Sequence, residues 1–390
     1  DSNFIPPYCS KNQAVCLPKS FAPNCQPLPS KNKKTLIIWP GHWIKALKRA
    51  GLTLSILAYD MAESVPAFTR SSICLVGCFF GTLPPYLPCV LRSIAANADI
   101  DWLIFSDAHP PAGLPRNMRW QAATLDGLQR RFSSRVGYAV NLSRPRLLCH
   151  FKAAYGFFFE DELGGYDFWG HCDLDMIFGD LRKYLREDIL QSYPKILCRG
   201  HLCLYRNVPE VNRFFQLQAP GVITAKEAFT AGRLSELTFD EWRGIYAILR
   251  FHGIPQFHDE FIVDVVPPTR WKITRLEGTA IRNYPEQVFY WHGGKVFHTH
   301  YNCDRGLVDD EYAYLHFQKR PIPAPGFDPG VVYGFLITPD GFFPYNRELL
   351  SDKDLARYNR ERWRPRRKLF QVVARGIGRR LGLVPARAAD

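Results

Sequence analysis

One segment constrains this chain more than any other: Tyr166-Asp167-Phe168-Trp169-Gly170-His171-Cys172-Asp173-Leu174-Asp175. An apolar, aromatic run ends in two carboxylates one residue apart. A buried strand of this pattern leaves its sheet at Asp173 and delivers both acids to the C-terminal edge, where open α/β sheets bind ligands. Paired carboxylates hold Mg²⁺ or Mn²⁺, and such ions share their remaining positions with water and substrate phosphates. The segment predicts a metal site for a diphosphate-bearing substrate. Spacing alone is weak evidence, since about one Asp-x-Asp arises by chance in a chain this long. Two internal controls share it, Asp99-Ile100-Asp101 and Asp352-Lys353-Asp354. The first precedes a strand-like run and the second lies in a polar, helix-like segment. Asp173 and Asp175 alone follow a buried-strand pattern.

The preceding residues predict a sheet able to carry such a site. The apolar run from Ile73 to Phe80 reads as a buried strand closed by Gly81. Pro84 and Pro85 suit a first helical turn, and Leu87, Leu91 and Ile94 repeat at helical spacing. Trp102 to Phe105 is a second strand, ending at Ser106-Asp107. Strand, helix, strand is the βαβ unit of a parallel sheet. A helix is expected from Phe151 to Leu163, another from Leu181 to Ile189, a strand from Ile196 to Tyr205 and a helix from Glu210 to Gln218. Beyond Gly221 loops, prolines and aromatics increase.

With 390 residues and 46% apolar content the chain can bury a large core. It has no run of eighteen apolar residues, so neither a transmembrane helix nor a cleaved signal is expected. Its eleven cysteines form no CxxC pair, which predicts reduced thiols and a cytoplasmic setting. Cys74 and Cys78, four apart in an apolar run, read as core packing rather than zinc ligands. The net charge of +13 is uneven. Arg360 to Asp390 holds ten Arg/Lys and two Asp/Glu, a net +8, leaving +5 elsewhere. Basicity is a tail property.

Several pieces in order resemble a known family: Phe79-Phe80-Gly81; Trp102-Leu103-Ile104-Phe105-Ser106-Asp107; Lys152-Ala153-Ala154-Tyr155-Gly156; and the segment from Asp167 through Asp173-Leu174-Asp175 to Gly179-Asp180-Leu181. The chain resembles a largely uncharacterised bacterial family of GT-A-type glycosyltransferases found among polysaccharide-biosynthesis proteins. The resemblance covers roughly Ser72 to Pro321. His150 stands where the pattern has an acid, and Ala153 where it has a proline; both bear on the helix start, not on the acidic pair.

The resemblance implies an α/β fold of GT-A, Rossmann-like type, a mixed, mainly parallel sheet flanked by helices, with a loop-rich acceptor-side half. It implies a glycosyltransferase domain over 71–325 (nucleotide-sugar half 71–205, acceptor half 206–325). Outside it, the Pro-rich and Lys-rich residues 1–70 read from composition as a poorly ordered or loosely docked leader, and 326–390 as a C-terminal extension with the basic tail. Asp175 would be the main ligand of Mn²⁺ or Mg²⁺, and Asp173 would contact metal, ribose or both. Asp107 would meet the base or ribose, and Phe80, Gly81 and Lys152 would line the nucleotide cleft. The donor would be a nucleotide-sugar, with UDP-sugar favoured, and the acceptor a bacterial surface glycan or a lipid-linked one. The late segment Tyr314 to Pro321 resembles the element that supplies a further ligand, which assigns His316 to the metal and Lys319 to the diphosphate. His298 and His300 are the rival, since residues i and i+2 on a strand face the same way; for either pair the alternative is a packing histidine.

An acceptor hydroxyl loses a proton as it attacks, and a carboxylate is the usual base in inverting enzymes. Asp240 and Glu241 are the first candidates, Asp259 and Glu260 the second. The bland readings are a helix cap for Asp240 and a solvated turn for the other pair. The tail alternates apolar and basic residues from Leu369 to Leu383, as in a helix lying on an anionic bilayer, against a disordered tail as the alternative. That implies a peripheral site on the inner membrane face. Nucleic acid is disfavoured, because the charge is confined to one end without a recognised module. Two other functions compete: a catalytically silent glycan- or partner-binding module, and a different metal-phosphate enzyme using the same acids.

Overall fold

The computed structural model describes residues 70–232, 239–258, 262–264, 283–284, 286–317, 322–338, 340–345 and 355. The expected leader, the basic tail, Asp259, Glu260, Lys319 and the Asp352/Asp354 control lie outside them.

Strand β1 (Ile73–Phe79) is the apolar run predicted from sequence, and its first residues are fully buried. Helix α1 (Leu87–Ala95) follows, with a proline in its first turn. Next come β2 (Asp101–Ser106) and β3 (Met118–Ala122), then helix α2 (Leu125–Val136), capped by the Thr124 side chain on the Gly127 amide. β4 (Phe168–Cys172) is buried throughout. Short β5 (Met176–Phe178) leaves the main sheet, while β6 (Lys195–Arg199), β7 (Leu202–Arg206) and β8 (Gln256–Phe257) return to it. The seven strands run β3-β2-β1-β4-β7-β6-β8. β1 pairs parallel with β2 and β4, β2 with β3, and β6 with β8, whereas β7 is antiparallel to both neighbours. The protein is therefore mixed α/β with a mainly parallel central sheet, as expected.

This order places β2 on one side of β1 and β4 on the other. The chain reverses its direction of travel there, and the ends of β1 and β4 open a crevice at the switch point, where α/β sheets hold ligands. Gly170 allows the centre of β4 to pack closely, since a Cβ there would lie 2.5 Å from the Cys203 carbonyl oxygen and 2.6 Å from Leu75. Trp169 stacks on Tyr205 with centroids 4.4 Å apart and donates its indole N–H to Asn212.

Four predicted elements differ. The helix expected from Leu181 to Ile189 is two short helices, Leu181–Tyr184 and Glu187–Ser192. The helix expected from Glu210 to Gln218 is a single turn at Pro209–Asn212 followed by a 3-10 turn at Phe214–Gln216. The helix expected from Phe151 to Leu163 is a broken string: 3-10 turns at Pro145–His150 and Lys152–Ala154, then single turns at Tyr155–Phe158 and Glu160–Leu163. Consecutive Phe157, Phe158 and Phe159 pack on Phe215, Phe132 and Phe105 respectively. A regular helix turns 100° per residue and spreads three consecutive side chains over more than half its circumference. Breaking it lets all three pack inward. The strand expected from Ile196 to Tyr205 is instead the β6–β7 hairpin, turning at Gly200-His201.

The second half, expected to be loop-rich, also carries a five-stranded antiparallel sheet. It comprises β10 (Gln287–His292), β11 (Lys295–Asn302), β12 (Gly306–Tyr312), β14 (Gly334–Thr338) and β15 (Gly341–Pro344), in the order β12-β11-β10-β14-β15. Its last two strands lie beyond residue 325, so this sheet crosses the position where sequence reading starts the extension. A third, small sheet sets β13 (Tyr314–His316) between β5 and β9 (Ile262–Asp264). No helix among the described residues is long and apolar enough to cross a membrane.

Candidate metal centre

β4 ends at Cys172, and Asp173 and Asp175 flank the bend into β5. The bend is fixed from several sides. The Asp173 amide donates to the His201 carbonyl at 3.0 Å, and the Asp175 carbonyl accepts from the Phe317 amide at 2.9 Å. Behind β5, Ser93 on α1 accepts from the Phe178 amide, while Asn97, just past α1, donates to the Gly179 carbonyl and accepts from the Leu181 amide. These contacts lock the backbone of both acids, which a metal site needs before any ion arrives.

β13 pairs antiparallel with β5, setting His316 opposite Met176. One ligand atom each from Asp173, Asp175 and His316 then lies within 4.8 Å of the other two. The His316 Nε2 is 3.4 Å from Asp175 Oδ1. Of the two histidine assignments, the structure brings His316 to the acids. His298 and His300 do face the same way, on β11, but they are spent elsewhere. His298 Nε2 meets Gln287 at 3.0 Å and its ring stacks on Phe289; His300 meets Asp310 at 3.2 Å and stacks on Tyr284.

Lys152 is buried, and its Nζ reaches Asp173 Oδ1 and the Gly200 carbonyl, both at 2.7 Å. On its other side stands Asp240, 3.8 Å away. Burial alone would lower the Lys152 pKa, but the Asp173 carboxylate beside it raises it well above the ordinary value. The ammonium stays charged. Lys152 is paired with Asp173, and the second acid at the opening, Asp175, adds a carboxylate that Lys152 does not pair, which suits a cation.

Asp240 is 2% exposed. It does not cap the following helix, Ile245–Phe251, whose N-cap is Gly244 without a side-chain bond. Burial pushes its carboxyl up to about 7, against the pull of Lys152. Glu241 packs with it against Gly200, where an added Cβ would lie 2.7 Å from Asp240 Oδ2 and 3.0 Å from Glu241. Both predicted acids therefore gather at the hairpin tip, but Asp240 lies under Lys152 rather than in the open.

A cavity of about 610 Å³ opens beside the acids. The end of β1 (Cys78, Phe79, Phe80), the Pro84-Pro85-Tyr86 turn and the Pro145–Cys149 stretch with Arg146 wall it, and Lys152, Asp173 and Asp175 form its polar end. Phe80 and Lys152, both assigned from sequence to a nucleotide cleft, line this cavity. Asp107 Oδ1 accepts from the Gly81 amide at 2.9 Å and ties the end of β2 to that of β1.

Sequence reading missed His201. It is 6% exposed, its ring stacks on His316 with centroids 4.2 Å apart, and its Nδ1 meets the Tyr314 hydroxyl at 3.0 Å. Burial, and then the nearby His316, hold its pKa well below the ordinary value, so the ring is neutral at neutral pH. Gly200 between two apolar runs does mark a turn, but nothing in the sequence directs that turn to the acids.

The model of a family of unknown function, DUF6625, matches residues 75–346. The chain belongs to that family. The family match runs from the middle of β1 through β15, and so includes the acids, His201 and His316. Among solved structures, the galactosyltransferase LgtC in complex with donor and acceptor sugar analogues is similar at 12% identity, covering 49% of this chain and 75% of that one, with a TM-score of 0.29. An active-site mutant of LgtC gives 12%, 64% and 88%, with a TM-score of 0.34. Apo mouse xyloside xylosyltransferase 1 gives 10%, 51% and 89%, with a TM-score of 0.32. At such TM-scores these likenesses carry no argument about activity. No curated protein matches the chain.

Proposed function

We propose that this protein is a metal-dependent glycosyltransferase of GT-A type that moves a sugar from a nucleotide-sugar, with a UDP-sugar favoured, to a bacterial surface-glycan or lipid-linked acceptor. One observation carries the reading: two carboxylates and a histidine, drawn from separate chain segments, converge at the switch point of a parallel sheet, beside a cavity. Two oxygen donors and one imidazole fit Mn²⁺ or Mg²⁺, ions that keep positions open for substrate oxygens. Asp173, Asp175 and His316 would hold the ion, and when bound it would neutralise charge on the departing diphosphate.

The chain's own groups do the remaining work. Lys152 keeps a positive charge on the diphosphate side of Asp173 and is itself held by Asp240 and the Gly200 carbonyl. The walls formed by Phe79, Phe80, Pro84 and Tyr86 exclude water around the nucleoside. Burial of Asp240 under Lys152 favours an electrostatic role for it, which leaves Glu241, half-buried at the same tip, as the better-placed acid toward an acceptor. The basic tail would bring the enzyme to an anionic membrane face where lipid-linked acceptors lie.

The test is release of nucleoside diphosphate from a panel of nucleotide-sugars, with Mn²⁺ and with chelator. The proposal expects turnover of one donor class, dependent on metal and lost in Asp175→Ala. Release of inorganic phosphate or pyrophosphate instead would point to a different metal-phosphate enzyme. Binding of glycans without any affinity for nucleotides would point to a silent module.

A further inference from the structure

The hairpin tip at Gly200-His201 touches Lys152, Asp173 and His316. The Gly200 carbonyl accepts from Lys152, and the His201 carbonyl accepts from the Asp173 amide. The His201 ring lies on the His316 ring at an interplanar angle of 27°. Its Nδ1 edge is held by Tyr314, which sits two residues before His316 on β13 and so faces the same way. Its Nε2 is buried and has no hydrogen-bond partner among the described residues.

Backbone pairing places the His316 Cα but does not set its ring. The 3.4 Å approach of Asp175 to Nε2 is one restraint on it. The stacked face of His201, with centroids 4.2 Å apart, is another. We infer that His201 is a positioning residue: clamped by Tyr314, it fixes the plane of His316 so that Nε2 points at Asp175 and the ion-binding space. This rests on reading Asp173, Asp175 and His316 as a metal centre. Tyr314, His201 and His316 then act as one relay of positions between β13 and the β6–β7 turn, and residues behind a metal ligand commonly set its affinity by 10–100-fold.

Two readouts on the full chain test this. One is the His316 ring ¹⁵N resonance without metal; the other is Mn²⁺ affinity by EPR titration. His201→Ala removes face and edge, His201→Phe keeps the face, and Tyr314→Phe removes the hydroxyl clamp. The inference expects a changed His316 resonance and Mn²⁺ binding weakened about 10-fold or more in His201→Ala. It expects most of that affinity restored in His201→Phe, and a smaller loss in Tyr314→Phe. If His201→Ala does not fold, the other two variants decide alone, since a merely structural role predicts neither a His316 signal change nor graded affinity. An unmoved His316 resonance with wild-type Mn²⁺ affinity in all folded variants would overturn it. Absence of Mn²⁺ binding by the wild type would remove the metal reading, and the His316 resonance would then judge the stacking claim separately.

Discussion

The central sheet carries the same Asp-x-Asp spacing at opposite ends. At the start of β2, Asp99 and Asp101 are absorbed into the fold. Asp99 pairs with Arg182 at 3.0 Å and with Arg70, and Asp101 accepts from the Tyr166 hydroxyl at 2.6 Å. At the end of β4, Asp173 has Lys152, Asp175 has His316, and both border a cavity. What separates the pairs is not spacing or acidity. It is the sheet end at which they emerge, and whether cations and hydroxyls of the fold have already surrounded them.

The largest contrast is expected in activity. Asp175→Ala should lower metal-dependent sugar transfer about 1,000-fold, since Lewis-acid assistance contributes several kcal/mol to a transition state. Asp99→Ala should leave transfer unchanged; parallel assays of the two variants measure this. Equal losses in both would erase the distinction.

Next comes stability at the β4 end. Lys152→Met strips a buried ammonium from between two carboxylates, at a cost of about 3–5 kcal/mol. Urea midpoints measure it, and adding Asp240→Asn should recover part of the loss.

The β4 end should also carry a distinct pH dependence. The Asp240 carboxyl is raised from 3.8 to about 7 by burial. The folded state then holds a proton that the unfolded chain releases, so this contribution is complete below pH 3.8 and falls away as pH rises to about 7. Asp240→Asn should flatten that slope in a pH series of unfolding curves.

A smaller effect is expected at the other end. Asp99→Ala leaves the buried Arg182 guanidinium short of a partner and should cost about 1–3 kcal/mol, again by urea midpoint. The smallest concerns the rival histidine: His300→Ala should leave Mn²⁺ affinity unchanged by EPR, because its ring is engaged with Asp310 and Tyr284.

The legible parts of this molecule are those whose cause is local in sequence. β1, β2 and β4 are apolar runs ended by Gly or Asp, and α1 has its proline start and its 3.6-residue repeat. The Asp173/Asp175 site is visible because a buried strand must end where its acids begin. His316 came from resemblance, and Lys152 was placed only as a cleft residue. The rest depends on contacts between distant segments. Lys152 and Asp240 are 88 positions apart, and nothing in either neighbourhood announces the pairing. His201 joins the site through a carbonyl and a ring face, for which sequence has no spacing rule. The helix expected from Phe151 failed because periodicity assumes one buried face, while Phe157, Phe158 and Phe159 have partners on different sides.

The most direct test of the account is a thermal-shift panel on the full chain with UDP, GDP, CDP and ADP, each with and without Mn²⁺, for wild type, Asp175→Ala and Asp99→Ala. A ligand that binds only the folded state raises its melting temperature by mass action. The account predicts a Mn²⁺-dependent rise with one base, kept in Asp99→Ala and lost in Asp175→Ala. A rise that survives Asp175→Ala, or none with any nucleotide, would contradict it.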